Sequence, residues 1–375
     1  MTYKLKSVIK LTLMRPTWAE INIEALKSNL LQVKRIVGKN VGIISIVKAD
    51  AYGHGALAVS RALIELGSDM LGVATVSEAL ELRESGINAP IILLGGVLPN
   101  EAESVVKNDL TPSLFSLKSA EALDKHAEKT GRKVKYHLKV DTGMGRLGVG
   151  VEEICGFLAG ICSFKDLEME GVFTHFANAD KEACDFTLKQ ISVFKPILSL
   201  ITHSGCHPKY VHLANSAGIQ RFPESHGNLV RPGIMLYGSG STGEYDLKPV
   251  MRLKTRIIQL KKLSAGTPLS YGGTFVTKRP SLIATLPVGY ADGYMRSLSN
   301  RARVSINGLT APVVGTVCMD LTMIDVTGVP GVNVGDDVVL FGDDRVSIED
   351  VARWAGTISY ELLSITGKRV TRTYV

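Results

Sequence analysis

No stretch of this 375-residue chain approaches the ~18–20 uninterrupted apolar residues that a membrane-spanning helix needs. Cysteine is scarce. Cys155, Cys162, Cys184, Cys206 and Cys318 make an odd count with no CxxC spacing, which excludes a disulfide scaffold and suits a reducing compartment. The formal charge of +7 comes without a basic run or an aromatic-interleaved basic patch, so a basic soluble surface is expected and not a nucleic-acid interface. Residues Met1–Leu13 carry Lys4, Lys6 and Lys10 among short apolar runs. They lack the long apolar centre and small-residue cleavage site of a secretory signal, so a cytoplasmic protein is expected. His203, Cys206, His207 and His212 lie close in sequence, but their spacing is loose and no cysteine pair accompanies them, so no metal is expected.

What is present is 45% hydrophobic residues, enough for one large core and a second, smaller one. Short β-rich runs alternate with helical patterns over the first two thirds of the chain. Strands are expected at Ile43–Val47, Met70–Ala74, Ile91–Leu94, Thr111–Phe115, Val134–Val140, Met169–Thr174, Tyr210–Leu213 and Asn228–Arg231. Helical segments such as Glu24–Val37, Ala56–Leu66, Ser77–Glu84, Lys118–Lys129 and Val151–Phe164 fall between them, with Gly38, Gly67, Gly86 and Gly131 as stop signals. Eight strand–helix units in about 220 residues fit a (β/α)8 barrel, with a doubly wound sheet as the alternative. After Tyr237 the texture changes. Gly238–Gly243 reads as a flexible linker, and Arg252–Leu260, Leu282–Pro287, Arg303–Ile306, Ala311–Val317, Met323–Val326 and Asp337–Phe341 read as short strands, with Ser347–Ala355 as the clear helix. The fold class is therefore α/β: a barrel over residues 15–247, an all-β domain over 248–375 that takes in a strand at 18–23, and an N-terminal extension over 1–14.

Several short strings carry the chemistry. In Gly42–Gly55 an apolar strand ends on Lys48, and the carboxyl ends of such strands are where ligands bind in parallel α/β folds. An amine held there among apolar neighbours has a lowered pKa and serves as nucleophile or base; the alternative is a lysine that only reaches out to water. The loop after Lys139-Val140-Asp141 contains Gly143-x-Gly145-x-x-Gly148, at face value a dinucleotide fingerprint, with Asp166 at the distance of a ribose-binding acid. Bulky Met144 and charged Arg146 sit poorly against a pyrophosphate, but a nicotinamide dehydrogenase stays open on this string alone. Val211–Gly218 ends a strand on Asn215-Ser216, offering a hydroxyl and backbone N–H groups to a phosphate.

The strings Val47–Gly55, Asp141–Arg146, Asn215–Gly218, Arg231–Gly238, Leu269–Thr274, Cys318–Asp320 and Ile358–Glu361 together resemble the alanine racemases, over essentially the whole chain from Arg15. The resemblance implies a homodimer that interconverts L- and D-alanine and supplies D-alanine for peptidoglycan. Lys48 would hold pyridoxal 5′-phosphate (PLP) as a Schiff base and act as a base on one face of the substrate carbon. Tyr271, from the other subunit, would serve the second face; a tyrosine is a weak base in water, so a nearby cation is needed. Tyr52, Ser216, Gly233, Ile234 and Tyr360 would hold the cofactor phosphate. His175 would lie near the ring. Arg231 would face the ring nitrogen and, as an arginine, keep its proton. Arg146 and the backbone at Met319 would bind the substrate carboxylate, supported by Lys139 (often carbamylated in this family), His212 and Asp320. Tyr290, Tyr294 and Arg296 would line the entrance. Two readings on related scaffolds stay open: a serine or broad-specificity racemase, against which Tyr360 counts, and a single-barrel PLP carrier, which would lack the β domain.

Overall fold

A computed structural model describes residues 15–183, 185–240 and 245–375. The expected extension at 1–14 and part of the expected linker, 241–244, lie outside the described residues, as does Cys184. The chain divides into two compact units, one of them formed by Ile23–Lys248 and the other by the N-terminal residues through Asn22 together with Pro249–Val375.

The larger unit is the barrel. Its eight strands are Gly42–Ile46, Met70–Val73, Ile91–Leu93, Thr111–Leu114, Val134–Asp141, Leu167–Phe173, Tyr210–His212 and Leu229–Val230. Each of the first six pairs in parallel with the next, and Leu229–Val230 pairs in parallel with the first. The seventh and eighth close through an Asn215–Arg231 bridge, where Arg231 N donates to Ala214 O at 3.0 Å. Parallel strands covered on both faces need continuous apolar runs, and Ile43, Ile44, Leu71, Ile91, Ile92 and Leu138 are accordingly buried. Gly38, Gly67, Gly86 and Gly131 all take the left-handed conformation at helix ends. The expected Val151–Phe164 helix is shorter, a 3-10 turn at Val151–Glu153 running into Ile154–Ile161. The long helix Asp185–His203 carries Pro196 within it, a residue that obscures helical character in sequence.

The smaller unit is built on a six-stranded sheet in the order Leu309–Pro312, Arg303–Ile306, Asp337–Phe341, Met251–Arg256, Thr17–Ile21, Thr371–Tyr374. Thr17–Ile21 runs antiparallel to Met251–Arg256 and parallel to Thr371–Tyr374. Three further strands, Gln259–Leu263, Ser281–Leu286 and Thr322–Asp325, form a second sheet. The expected strand Arg252–Leu260 is thus two strands in different sheets, broken at Ile257 and Ile258, and expected Ala311–Val317 ends as a strand at Pro312. Helix Ile348–Ala355 starts on a Ser347–Asp350 capping box and stops at Gly356. A second helix, Ser359–Ser364, was not expected; at six residues it is too short for a periodic signal.

Candidate active site

The carboxyl ends of the barrel strands gather most of the residues singled out above. Lys48 leaves the first strand through Val47, whose N–H donates to Gly72 O at 2.8 Å. The chain then coils through one left-handed turn: Ala49, Asp50, Ala51 and Tyr52 all have φ of 53° or 54°. For residues with a Cβ this costs roughly 1–2 kcal/mol each. The turn is held by Ala49 N donating to Glu78 Oε1 at 2.7 Å, Ala56 N to Asp50 Oδ1 at 2.7 Å and Gly55 N to Asp50 O at 2.9 Å. Burial lowers the Lys48 pKa, Arg146 lowers it further, and Glu78 opposes both.

Lys139, buried on the fifth strand, pairs across to Phe173 and lies 5.4 Å from that ring's centroid. Burial, then Arg231 and Arg146, bring its pKa down to about 8. The loop that follows is organised by Asp141, whose Oδ1 accepts from Gly143 N at 2.9 Å and Met144 N at 2.8 Å. Burial raises the Asp141 pKa, and the loop's N–H groups outweigh it. A Cβ on Gly148, at φ +128°, would come 2.6 Å from Asp141 N, so this glycine permits the chain to fold back. It does so directly, with Val149–Gly150 pairing beside Val140–Asp141. No helix opens on the third glycine, and Asp166 precedes the sixth strand, at the opposite end of the barrel. The dinucleotide reading fails on both counts.

Arg231 follows the eighth strand and is buried. Its Nη1 donates to His212 O at 3.0 Å and to His212 Nδ1; its Nη2 donates to Thr174 O at 2.7 Å and Leu213 O at 2.8 Å, and lies 3.3 Å from His175 Nδ1. Nε–H is not among these donors. Burial brings the guanidinium down to about 9, so it stays cationic at neutral pH. His175 and His212 are pushed well below the ordinary histidine value, first by burial and then by Arg231, and are neutral. Ser216 Oγ accepts from Gly233 N at 2.9 Å, and a Cβ on Gly233 would come 2.7 Å from Tyr52 Oη. Tyr52, Ser216, Gly233 and buried Ile234 thus share one corner of the barrel mouth. Lys48, Lys139, Arg146 and Arg231 give that mouth a strongly cationic field, suited to an anionic ligand.

The remaining candidates belong to the smaller unit. Tyr271 sits in a 3-10 turn at the tip of the hairpin Pro268–Leu269/Phe275–Val276, and its side chain is 76% exposed. Ser270 enters that turn at φ +65°, its hydroxyl donating to Thr316 O at 2.7 Å, while Thr316 Oγ1 donates to Tyr271 O at 3.0 Å. The Met319 loop lies beside it: Cys318 O and Met319 O accept from Tyr290 N at 3.0 Å and Ala291 N at 3.1 Å. Met319 and Tyr360, the latter on the Ser359–Ser364 helix, are also exposed. Tyr294 corrects an expectation: it is fully buried and lines no entrance, whereas Tyr290 is exposed.

Three residues outside the motifs organise these loops. Asp292 is buried and accepts from Gly289 N at 3.0 Å, from Arg15 Nη2 at 2.8 Å and from Arg369 Nε at 3.1 Å. Arg369 also donates to Asp320 at 2.8 Å, linking Asp292 to the Met319 loop. In the barrel, Gln190 accepts from Ala177 N at 3.0 Å and donates to His175 O at 3.0 Å, fixing the His175 segment. A glutamine on the apolar face of Asp185–His203 is a sequence signal that could have found it; nothing comparable marks Arg369.

An eight-stranded parallel barrel with a depressed lysine and cationic mouth at its strand ends, joined in one chain to a β-sheet unit, defines a barrel enzyme for an anionic small molecule. Residues 21–241 match the family model "Alanine racemase, N-terminal domain" and residues 250–374 match "Alanine racemase, C-terminal domain". The chain is 47% identical to an alanine racemase of Halothermothrix orenii, over 96% of this chain and 97% of that protein. Among solved structures it resembles the alanine racemase of Clostridium difficile 630, with a TM-score of 0.91 and 37% identity over 96% of each chain. It also resembles an alanine racemase from Bartonella henselae with covalently bound pyridoxal phosphate, with a TM-score of 0.88 and 32% identity over 96% of this chain and 99% of that one. This chain belongs to the alanine racemase family and is an isomerase.

Proposed function

We propose that this chain interconverts L- and D-alanine with PLP as cofactor, acting as a cytoplasmic homodimer and supplying D-alanine for the cell wall. The observation that carries the reading is Lys48, an amine with a depressed pKa placed at the end of the first barrel strand beside Arg146, within the cationic mouth. The donor set supports PLP. A phosphate dianion suits the corner made by the Tyr52 and Ser216 hydroxyls and the Gly233 and Ile234 backbone, where only a glycine at 233 leaves room for Tyr52. Tyr360 would add a further hydroxyl to that phosphate, and His175 would flank the ring. Arg231, with its Nη groups committed to carbonyls and His212, keeps Nε–H for the ring nitrogen and gives that nitrogen no proton.

Bound PLP supplies an electron sink that makes the substrate's Cα–H acidic. Lys48 then moves a proton on one face of Cα, and Tyr271 of a second copy moves one on the other. Arg146 and the backbone of Met319 hold the substrate carboxylate, which fixes Cα between the two bases. Asp320 steadies the Met319 loop through Arg369. Lys139, its amine already drawn down by burial and by Arg231, is suited to carbamylation, and the resulting negative charge would hold Arg146.

Chiral analysis of the purified protein with PLP, given L-alanine and L-serine in parallel, tests the reading. Rapid D-alanine with little D-serine is expected. D-serine at a comparable or greater rate would move the substrate assignment, and no D-product from either would remove the function.

A further inference from the structure

Behind Arg231 the barrel interior holds polar groups that the reaction above does not use. An arginine only donates, so His212 Nδ1, facing Nη1, is an acceptor, and the proton of this neutral ring sits on Nε2. That Nε2 lies 2.8 Å from His137 Nδ1, which must accept in turn and leave its own proton on Nε2. His137 Nε2 is buried and faces the Glu170 carboxylate at 3.7 Å, longer than a hydrogen bond but within ion-pair reach. Burial keeps the His137 ring neutral against the pull of Glu170, and Glu170 is held down to about 2, first by His137 and then by Lys135 against its own burial. The two hydrogen-bonded links thus have one permitted direction, from Arg231 to His212 to His137, and the remaining His137 N–H faces the Glu170 carboxylate across 3.7 Å.

The chain of contacts is built into the strands. Arg231 follows the eighth strand, His212 ends the seventh, His137 lies on the fifth and Glu170 on the sixth. Phe173 stacks on His212 at 4.6 Å with 7° between the rings. A Cβ on Gly171 would come 2.6 Å from His137 Nδ1, so the sixth strand leaves a gap in which that ring sits. Glu170 lines a cavity of about 310 Å³ at the amino ends of the strands, with Lys135 Nζ 3.0 Å away.

We propose that His137 and Glu170 are positioning residues for Arg231. They act through His212, holding it in the tautomer that accepts from the guanidinium, so that the Nη groups stay committed to the barrel and Nε–H stays available. Without the carboxylate charge facing His137 Nε2–H, His212 could carry its proton on Nδ1, and two donors would then face each other at Arg231. The inference rests on the reading of Arg231 as the residue that faces the cofactor ring.

The test is ¹⁵N-histidine NMR of the holoenzyme, with kcat and KM measured beside it. His137 and His212 are each expected to be protonated on Nε2 only, with slowly exchanging N–H protons. Glu170→Leu should shift the His212 resonances towards a tautomer mixture and lower kcat about five-fold, the scale of one net hydrogen bond, with KM unchanged within two-fold. Glu170→Gln, which keeps a carbonyl acceptor, should restore the His212 resonances and most of kcat. Unchanged His212 resonances in Glu170→Leu, or a glutamine that restores nothing, would overturn the proposal. So would a parent protein with its His212 proton on Nδ1, a result that needs no variant to fold. The spectra do not depend on turnover, so a parent that fails to racemise alanine counts against the functional reading and leaves the relay standing.

Discussion

The barrel mouth and the loops of the smaller unit contribute to the proposed site in opposite ways. In the barrel, Lys139, His212, Ser216 and Arg231 are buried, the last three bonded to backbone or to one another and Lys139 set against the Phe173 ring, and their chemistry is set by that burial. In the smaller unit Tyr271 and Met319 are 76% and 52% exposed, and it is the backbone beneath them that is fixed, through Thr316 and Tyr290. One region holds its functional groups in a finished environment; the other presents them on a rigid base to an environment still to be supplied. Exposed aromatic and methionine side chains on well-anchored loops are what a second copy would cover.

Breaking the presenting side alone gives the largest effect. Tyr271→Phe should keep PLP and lower racemisation about 10³-fold, within the range for loss of one acid–base group. Alanine's two enantiomers are equal in energy, so kcat/KM must fall equally in both directions, and the asymmetry appears elsewhere. In D2O the variant should still exchange the α-hydrogen of one enantiomer, the one whose face Lys48 serves, and lose exchange of the other. Mixing Lys48→Ala chains with Tyr271→Phe chains should then restore roughly a quarter of parental activity, since random two-fold pairing makes half the dimers mixed, each with one complete site. Equal exchange of both enantiomers would refute the two-base assignment, and no recovery on mixing would refute the shared site.

What the sequence reveals follows the same division. Barrel strands and their glycine stops were legible because apolar runs and left-handed helix ends are local, and Lys48 stood out because it terminates such a run. The left-handed turn at Ala49–Tyr52 was not legible: alanine and tyrosine have no local reason to adopt it, a lone aspartate does not signal four such residues, and contacts from Glu78 and the start of the next helix hold it. Asp292 lies 277 residues from Arg15, and His137 lies 75 from His212, so neither pairing leaves a periodic trace. The fingerprint Gly143–Gly148 was ambiguous because glycines serve a fold-back around Asp141 as readily as a phosphate turn.

Asp292 sharpens the contrast from beneath the presenting loops. Asp292→Asn removes the charge that two partly exposed arginines share and should cost the protein about 2 kcal/mol of stability, the scale of a hydrogen bond to a charged group. Burial raises the Asp292 pKa, but Arg15, Gly289 N–H and Arg369 outweigh it, leaving the folded value below the ordinary 3.8. Its contribution is therefore fully present above that ordinary value and fades as pH falls through the folded one. Thermal melts from pH 7 to pH 3 should show the gap between parent and Asp292→Asn closing only at the acid end. A gap that stays constant with pH would mean the loss is one of packing and not of charge. Because Tyr290, Cys318 and Met319 share this base, the variant should raise KM for alanine more than it lowers kcat.

Gly233 tests the finished side most gently. The requirement for glycine there includes space, because a Cβ would meet Tyr52 Oη at 2.7 Å. Tyr52 has little room to yield. It is buried, its ring packs 4.8 Å from that of Tyr237 with the planes tilted by 34°, and its backbone is held in the left-handed turn. Gly233→Ala should therefore displace the Tyr52 hydroxyl from the phosphate corner while leaving Arg231, Lys139 and the fold in place. Titration of the apoprotein with PLP should show about ten-fold weaker binding, the loss of one charge-assisted hydrogen bond, with kcat at saturating cofactor reduced less than that. Unaltered PLP affinity would show that Tyr52 packs at the loop base without reaching the phosphate, and would take it out of the cofactor-binding set.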